Sequence, residues 1–260
     1  MPQKLQHVLI LAHPGHELRI HHWLELKKPR IYLLTDGSGG RHSARTRYSR
    51  DVVEAAGATA GAIFGDIPDT VWYKALLAGD SGVFADVLTR IRADLTGMQD
   101  VQIVSDAVDG YNPMHDLAYA FGNALNRLLQ STKPGRKQLC SAAVPNVSGV
   151  VEVEIQLDSA ARARKVAAVK AYTPLADEAR QILDRDPQCF DRELLISQHF
   201  DWDAPWTPEW ERVGKERVAK KVYDRCITYK DNVQPVAQQL MSESDPHHLS
   251  RKVRPLPSKV

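Results

Sequence analysis

Short apolar runs alternate with helical periodicity through the first half of the chain. Residues 7–12, 30–35, 60–64 and 101–105 are short and mostly apolar, as buried strands are. Between them, apolar side chains recur at helical spacing, for example at Phe84, Val87, Leu88, Ile91 and Leu95. Apolar strands that alternate with amphipathic helices predict an α/β fold of the Rossmann-like type, in which a mainly parallel sheet is flanked by helices.

The second half of the chain is less regular and predicts a helical elaboration at the C-terminal end. Two further strands are indicated at 142–144 and 151–157, helix at 159–183 with a break at Pro174, and another helix at 216–239. We therefore expect an α/β domain, a C-terminal helical extension packed on that domain, and a polar tail, spanning residues 1–190, 191–242 and 243–260.

Composition and charge argue against several classes of protein. The chain has 34 basic and 32 acidic side chains, a net charge of +2, so it lacks the strong positive field expected of a nucleic-acid-binding protein. No stretch approaches the ~20 apolar residues that a membrane span requires. The three cysteines are odd in number and have no CxxC spacing, which predicts reduced thiols in a cytoplasmic protein.

Two histidines, His13 and His16, directly follow the first predicted strand, and His115 precedes the helix after the fourth. The carboxyl ends of parallel strands lie along one edge of a sheet, where ligands bind in open α/β folds. Three imidazoles at that edge could hold zinc and leave a fourth position to water. The HxxH spacing alone leaves two interpretations open, a metal site and an ordinary strand end with solvated or capping histidines.

Several motifs between residues 5 and 185 resemble one enzyme family in sequence order. "AHPGHE" resembles the AHPDDE signature of the PIG-L/LmbE-like N-acetylglucosaminyl deacetylases, and "LLTDGSGG" their second-strand motif. "DVQIVSDAVDGYNPMHDLAY" resembles the strand that leads into their HPDH motif. The resemblance implies a Rossmann-like fold, a bound zinc ion, and hydrolysis of an N-acetylated amino-sugar compound.

Carried over position by position, the resemblance implies that His13, His16 and His115 are the metal ligands. The family's general base falls on Gly15, and its transition-state histidine falls on Asn112. Glycine cannot accept a proton, while Asn112 can donate only an uncharged hydrogen bond to an oxyanion. The metal-ligand positions thus keep their chemistry, and the acid–base positions do not.

Two interpretations of these departures stay open. Three neutral imidazoles leave a zinc site with its full +2 charge, and such a site in carbonic anhydrase lowers the pKa of bound water to ~7. A dedicated general base would then matter less for catalysis, and Glu17, Asp109 or Asp116 could still accept the proton of the bound water. Alternatively, catalysis has been lost, since a general base contributes ~10²–10⁴ in rate.

Side chains beyond the histidines are candidates for substrate binding. Asp36, in a Gly-rich turn after the second strand, and Arg45, in a basic cluster beyond it, are expected to contact the substrate. Both also have ordinary structural explanations, a turn residue and a solvated helix face. Three tryptophans predict packing of the C-terminal segment on the sheet or a contact in a homo-oligomer: Trp202, Trp206 and Trp210.

The sequence therefore leads to one main hypothesis and two alternatives. The main hypothesis is a zinc-dependent amidase that deacetylates an N-acyl amino-sugar substrate, with no nucleic acid as partner. The first alternative is a catalytically silent sugar- or metabolite-binding protein on the same fold. The second is a metal site that serves a different C–N or C–O hydrolysis, because a fold by itself does not specify a reaction.

Overall fold

The structure is a computed structural model that describes residues 5–39, 43–98, 100–130, 136–145 and 147–244. Seven strands form one sheet in the order β3-β2-β1-β4-β5-β7-β6. The strands are β1 (Gln6–Leu11), β2 (Arg30–Leu33), β3 (Thr59–Phe64), β4 (Val101–Asp106), β5 (Leu139–Ser141), β6 (Val150–Gln156) and β7 (Arg192–Ser197).

Helices cover both faces of the sheet, as the alternating pattern predicts. Two separate apolar clusters, one on each face, fill the space between the sheet and its helices. The helices are α1 (His21–Lys27), α2 (Thr46–Ala55), α3 (Asp69–Ala78), α4 (Gly82–Asp94), α5 (Pro113–Gln130), α6 (Ser159–Ala171), α7 (Ala176–Arg185), α8 (Glu209–Ala219) and α9 (Gln234–Glu243). No helix within the described residues is both long and apolar enough to cross a membrane.

The strands β3, β2, β1, β4 and β5 are parallel, which confirms the predicted Rossmann-like α/β sheet. Leu9, Ile10 and Leu11 are fully buried, because β1 lies between two neighbouring strands and under helices on both faces. Central strands of this kind need apolar side chains on both faces, and this explains why they lack alternation in the sequence.

The far side of the sheet differs from the prediction. Residues 142–144 do not form a strand. The strand in this region is β5, which pairs with β4 over three residues and ends at Ser141. The strand β7 was not predicted, and it pairs antiparallel with both β5 and β6. It lies beyond residue 190, so the segment that we expected to be a helical extension also supplies a strand to the sheet.

The predicted continuous helix over 216–239 is wrong. The helix α8 ends at Ala219, Lys221 adopts a left-handed φ of 57°, and helical structure resumes with a π-helical turn at Tyr229–Val233. A side chain at positive φ does not continue a right-handed helix, and this separates α8 from α9. The polar tail beyond residue 244 lies outside the described residues.

The tryptophan-rich segment packs on the protein core, which confirms the first of the two predictions, packing on the sheet. Trp202 and Trp210 are buried within the cluster that also contains residues of α5 and α9, and Trp206 packs against its margin. The indole nitrogen of Trp210 donates a 2.7 Å hydrogen bond to Asp116 in α5. The C-terminal segment is thus tied to the helix that carries His115.

Candidate functional site

The three histidines singled out in the sequence come together at the carboxyl edge of the sheet. His13 and His16 lie in the loop and 3₁₀ turn that follow β1, and His115 lies in the first turn of α5, after β4. The ring centroids are 5.5 Å apart for His13 and His16, 5.2 Å for His13 and His115, and 4.6 Å for His16 and His115. We call these three residues the histidine cluster.

The loop between His13 and His16 depends on the glycine between them. Gly15 has a φ of 107°, a conformation that L-residues rarely adopt, and a Cβ there would lie 2.4 Å from Leu175 Cδ1. Its amide donates a 2.8 Å hydrogen bond to the buried carboxylate of Glu17. The fold therefore leaves no room for a side chain at Gly15, the position on which the family's general base falls in the resemblance.

Each histidine of the cluster is held through its Nδ1 atom. His16 Nδ1 lies 2.9 Å from both carboxylate oxygens of Asp106, and His115 Nδ1 lies 2.7 Å from Asp109 Oδ2. A carboxylate can only accept, so in a neutral ring the proton sits on Nδ1 and the lone pair on Nε2. His13 Nδ1 lies 2.7 Å from the hydroxyl oxygen of Thr35.

Asp106 also links the ends of two strands. Besides contacting His16, its carboxylate accepts a 2.7 Å hydrogen bond from the amide of Ala12, the residue after β1. Asp106 itself ends β4, which pairs with β1 in parallel. The loops that carry the histidines are therefore fixed to one another through a single buried carboxylate.

Burial dominates the electrostatics of the histidine cluster. It lowers the pKa of His115 to about 4, against the opposing effect of Asp109, and it lowers the pKa of His16 well below the usual value. Burial also raises the pKa of Asp106 to about 6, although the nearby histidines oppose that rise. The rings of His16 and His115 are thus neutral at pH 7, which is the form in which imidazole binds a metal.

One fully buried nitrogen of the cluster, His13 Nε2, has no hydrogen-bond partner. The nearby Asp69 Oδ1 is also buried without a hydrogen bond, although it lies 3.4 Å from His13 Nδ1. Buried polar atoms are nearly always paired, so unpaired ones mark places where a ligand would be stabilised. Across the described ranges, however, no group of three or more His, Cys, Asp or Glu side chains is already assembled as a metal site.

The four residues predicted to act in catalysis lie around the cluster, each with a defined partner. Glu17 is fully buried; its Oε2 accepts the Gly15 amide, while Oε1 is unpaired, and burial raises its pKa. The hydroxyl of Ser49 lowers that pKa somewhat, although its 3.0 Å hydrogen bond is to Tyr172. Glu17 thus holds the loop between His13 and His16 through the backbone amide of Gly15.

Asp109 and Asp116 are both engaged in hydrogen bonds. Asp109 accepts from His115 and from the amide of Tyr111. Asp116 accepts the amides of Asp109 and Gly110 with one oxygen and the indole of Trp210 with the other, and burial raises its pKa to about 8. These bonds shape the loop before α5, and their roles in proton transfer stay predictions.

Asn112 begins the segment that leads into α5. Its Oδ1 accepts the amide of Met114 at 2.8 Å and the phenol of Tyr73 at 3.2 Å. Its backbone carbonyl accepts the amide of His115 at 3.0 Å. Asn112 is thereby fixed three residues before a member of the cluster.

The two residues predicted to bind substrate lie beside the same loop. Asp36 Oδ1 accepts the amides of Ser38 and Asp69 at 3.0 and 3.1 Å, and this holds the Gly-rich turn. Arg45 reaches Gly37, where a Cβ would lie 2.7 Å from its Nε, and that Nε is buried without a partner. The charge of Arg45 lowers the pKa of His16 and of Glu17, so it lies close to the cluster.

The sequence suggests that Asp69 lines the pocket or caps the next segment, and the structure places it 3.4 Å from His13 Nδ1. Sequence analysis did not single out Thr35 and Asp106, which contact His13 and His16. Asp106 is the last residue of β4, Thr35 lies two residues after the end of β2, and Asp69 begins the helix after β3. A polar side chain at the carboxyl end of an apolar strand was the available signal, as in "QIVSD". The pattern does not reveal which histidine each one contacts, because that depends on loop conformations.

No protein-family model matches the chain, and no curated protein or solved structure is similar enough to count as a match. The family resemblance therefore rests on the motifs alone.

Proposed function

We propose that the protein is a zinc-dependent hydrolase that removes the acyl group from an N-acylated amino-sugar compound. The observation that supports the proposal best is the convergence of His13, His16 and His115, each held through Nδ1. Rings that bind one zinc ion at ~2 Å in tetrahedral geometry have centroids ~5 Å apart, and the measured separations of 4.6–5.5 Å fit that value.

The partners of the histidines also favour a metal site. Metal-binding histidines commonly donate the other ring N–H to a carboxylate or another oxygen, which fixes the ring and increases its basicity. Asp106 and Asp109 supply such carboxylates, and Thr35 supplies a hydroxyl. Because the donor atoms are not fully assembled, ion binding requires the rings to adjust.

The chemistry is divided between the ion and the chain. When bound, zinc would act as a Lewis acid toward the acyl oxygen and make water a stronger nucleophile at neutral pH. The chain would contribute a neutral donor, the Asn112 amide, and a cation, Arg45, next to the cluster. Gly15 takes no part in proton transfer, so the lowered demand for a base in a three-histidine site is essential to the proposal.

Zinc binding is the first test. Metal-free protein titrated with Zn²⁺ in a calorimeter should bind one ion per chain, and elemental analysis should confirm it. His115→Ala should weaken binding by more than about 100-fold, since loss of a supporting group alone costs 10–100-fold. His22→Ala is the matched control, because His22 pairs with Glu25 on α1, outside the cluster. Unchanged zinc binding in His115→Ala would overturn the ligand assignment.

Amine release is the second test. The wild-type protein loaded with zinc should release a primary amine from at least one member of a panel of N-acetylated amino sugars, and His115→Ala should not. Release of amine from N-acyl amino acids or from esters instead would place the same site in another class of hydrolysis.

A catalytically silent binding protein is the second candidate, and Gly15 favours it. The space that a base would occupy is taken by Leu175, and Asp109 and Asp116 are already engaged in hydrogen bonds. This candidate predicts zinc binding without amine release, together with measurable affinity for the same N-acetylated sugars. Calorimetry with the sugars distinguishes it from the hydrolase.

A further inference from the structure

Tyr73 reaches the site from a part of the chain that no motif singled out. It lies in α3, one turn after Asp69, and its phenol donates a 3.2 Å hydrogen bond to Asn112 Oδ1. Burial, together with the charge of Asp69, raises the pKa of Tyr73 well above its usual value. The phenol therefore stays protonated and remains a donor across the whole physiological pH range.

The hydrogen bonds of Asn112 define which end of its amide is available. A carboxamide oxygen has two lone pairs, and here Oδ1 accepts both the Met114 amide and the Tyr73 phenol. A flipped amide would set its NH₂ group against the Met114 amide, which can only donate, and would lose that bond, whereas the Tyr73 hydroxyl can also accept. The NH₂ end is therefore the end left to bind a ligand, as a donor.

We propose that Tyr73 is a positioning residue that fixes the Asn112 amide so that its NH₂ group donates to an oxygen of a ligand at the histidine cluster. The inference deepens the proposed function and rests on it for the identity of that ligand, an acyl oxygen. Two neutral groups, Tyr73 and Asn112, would then take the place of the histidine that the family motif carries at position 112.

Catalysis requires such a donor to be held in place before the reaction. A hydrogen bond that is already aimed at a developing negative charge avoids reorganisation, while a freely rotating amide does not. Met114 alone selects the oxygen end of Asn112 on one side, and Tyr73 adds the second contact from a different helix. Removal of the phenol should thus loosen Asn112 without affecting the histidines.

The test uses Tyr73→Phe, which keeps the ring and loses the hydroxyl. Selective ¹⁵N labelling of the five asparagines gives a simple spectrum in which Asn112 is assigned by its absence in Asn112→Ala. In zinc-loaded Tyr73→Phe, the two NH₂ protons of Asn112 should exchange with each other and with water at least several-fold faster. Tyr32→Phe is the matched control, since Tyr32 donates to Asp94 and not to any residue of the site.

The activity arm uses the same variants. Tyr73→Phe should lower kcat for amine release about fivefold to tenfold, the effect of one neutral hydrogen bond, with zinc affinity unchanged. In an Asn112→Ala background, Tyr73→Phe should have no further effect. Equal loss in both backgrounds, or an Asn112 spectrum that Tyr73→Phe leaves unchanged, overturns the inference.

The two arms separate this inference from the proposed function. Absence of amine release from every substrate, with a clear change in the Asn112 spectrum, refutes the hydrolase and supports Tyr73 as the group that fixes Asn112. Amine release with an unchanged Asn112 spectrum refutes the role of Tyr73 and leaves the hydrolase intact.

Discussion

The histidine cluster and the ion pair of Lys165 and Glu193 are both buried, but their hydrogen bonding differs. Lys165 donates to Glu193 at 2.9 Å and to the carbonyl of Arg19 at 2.6 Å, and the other contacts of Glu193 are the amides of His22 and Trp23. The adjacent His21 leaves one ring nitrogen, Nδ1, without a partner.

Around the histidine cluster, in contrast, buried atoms without a hydrogen bond belong to several residues: His13 Nε2, Asp69 Oδ1, Glu17 Oε1 and Arg45 Nε. A polar group that is desolvated without a partner costs ~1–3 kcal/mol, so a fold tolerates several together only where another requirement is met. The comparison indicates that hydrogen-bond satisfaction, more than burial or charge, distinguishes the buried ion pair from the ligand site that we propose.

The largest expected effect concerns the ion pair. Lys165→Met should lower the free energy of unfolding by about 3–5 kcal/mol, because the carboxylate of Glu193 stays buried without its cation. Urea denaturation measures the change, and Lys170→Met, exposed on the same helix, should be nearly neutral. The double variant Lys165→Met with Glu193→Gln should recover part of the loss.

If the single variant Lys165→Met is as stable as wild type, the ion pair is not a structural requirement and the comparison fails. Zinc affinity should be unaffected in every member of this series that stays folded.

The loop of the histidine cluster should tolerate a side chain poorly. Gly15→Ala is expected to cost roughly 1–2 kcal/mol for the left-handed φ and a further ~1–3 kcal/mol for contact with Leu175. Gly79→Ala isolates the first contribution, since Gly79 has a φ of 67° and no atom within 4 Å of its Cβ position. Thermal unfolding measures both variants, and Leu175→Ala should relieve the second contribution in Gly15→Ala. Equal stability of the two glycine variants would contradict the packing argument.

A smaller effect is expected at the carboxylate that holds His115. Asp109→Asn should weaken zinc binding by ~10–100-fold, because the amide fails to stabilise the required tautomer of His115. Asp66→Asn is the control, since Asp66 lies at the same edge of the sheet and accepts only a backbone amide, that of Phe64, among its described hydrogen bonds. Competition with a zinc-sensitive dye measures the affinity. An Asp109→Asn protein with wild-type affinity would show that this contact only shapes the loop.

The smallest effect concerns His7, at the opposite end of β1 from the cluster. Burial, with the charges of Lys27 and Arg136, lowers the pKa of His7 from 6.5 to about 4. The folded state thus binds the proton less tightly than the unfolded chain, and stability present above pH 6.5 is lost as the pH falls toward 4. After allowance for solvent screening, we expect a loss of roughly 1–2 kcal/mol.

His7→Phe should flatten that part of the stability profile and keep the contact with Trp23. Denaturant unfolding between pH 7 and 4.5 measures it. A parallel profile for wild type and His7→Phe would assign the acid sensitivity to other groups, such as His16 and His115.

The parallel half of the fold could be predicted because each of its strands is apolar on both faces and each helix has one apolar face. The strand β7 could not, since "RELLIS" follows a turn-rich stretch and pairs with residues of β5 and β6 that lie 36 to 56 positions earlier. The prediction of a helix at 216–239 was wrong for a local reason. The helical periodicity of the side chains continues past Lys221, but the backbone of Lys221 is left-handed and does not continue the helix.

The candidate site shows a similar division. His13, His16 and His115 could be located from strand ends and spacing, as could the neighbourhood of Glu17, Asp109 and Asn112. Their hydrogen bonds could not be predicted, because Asp106, Thr35 and Tyr73 reach the site from the end of β4, the loop after β2 and the helix α3. The residue types were enough to predict the chemistry of the site, whereas the hydrogen-bond partner of each histidine depends on the tertiary structure.

The position of β7 between β5 and β6 has a consequence for synthesis on the ribosome. The strands β1 to β4 can pair as soon as each leaves the exit tunnel, whereas β6 has no neighbour in the sheet until residues 192–197 emerge. The edge of β5 therefore stays open for roughly 50 residues of translation after Ser141, a period in which an unpaired strand is exposed to wrong pairing.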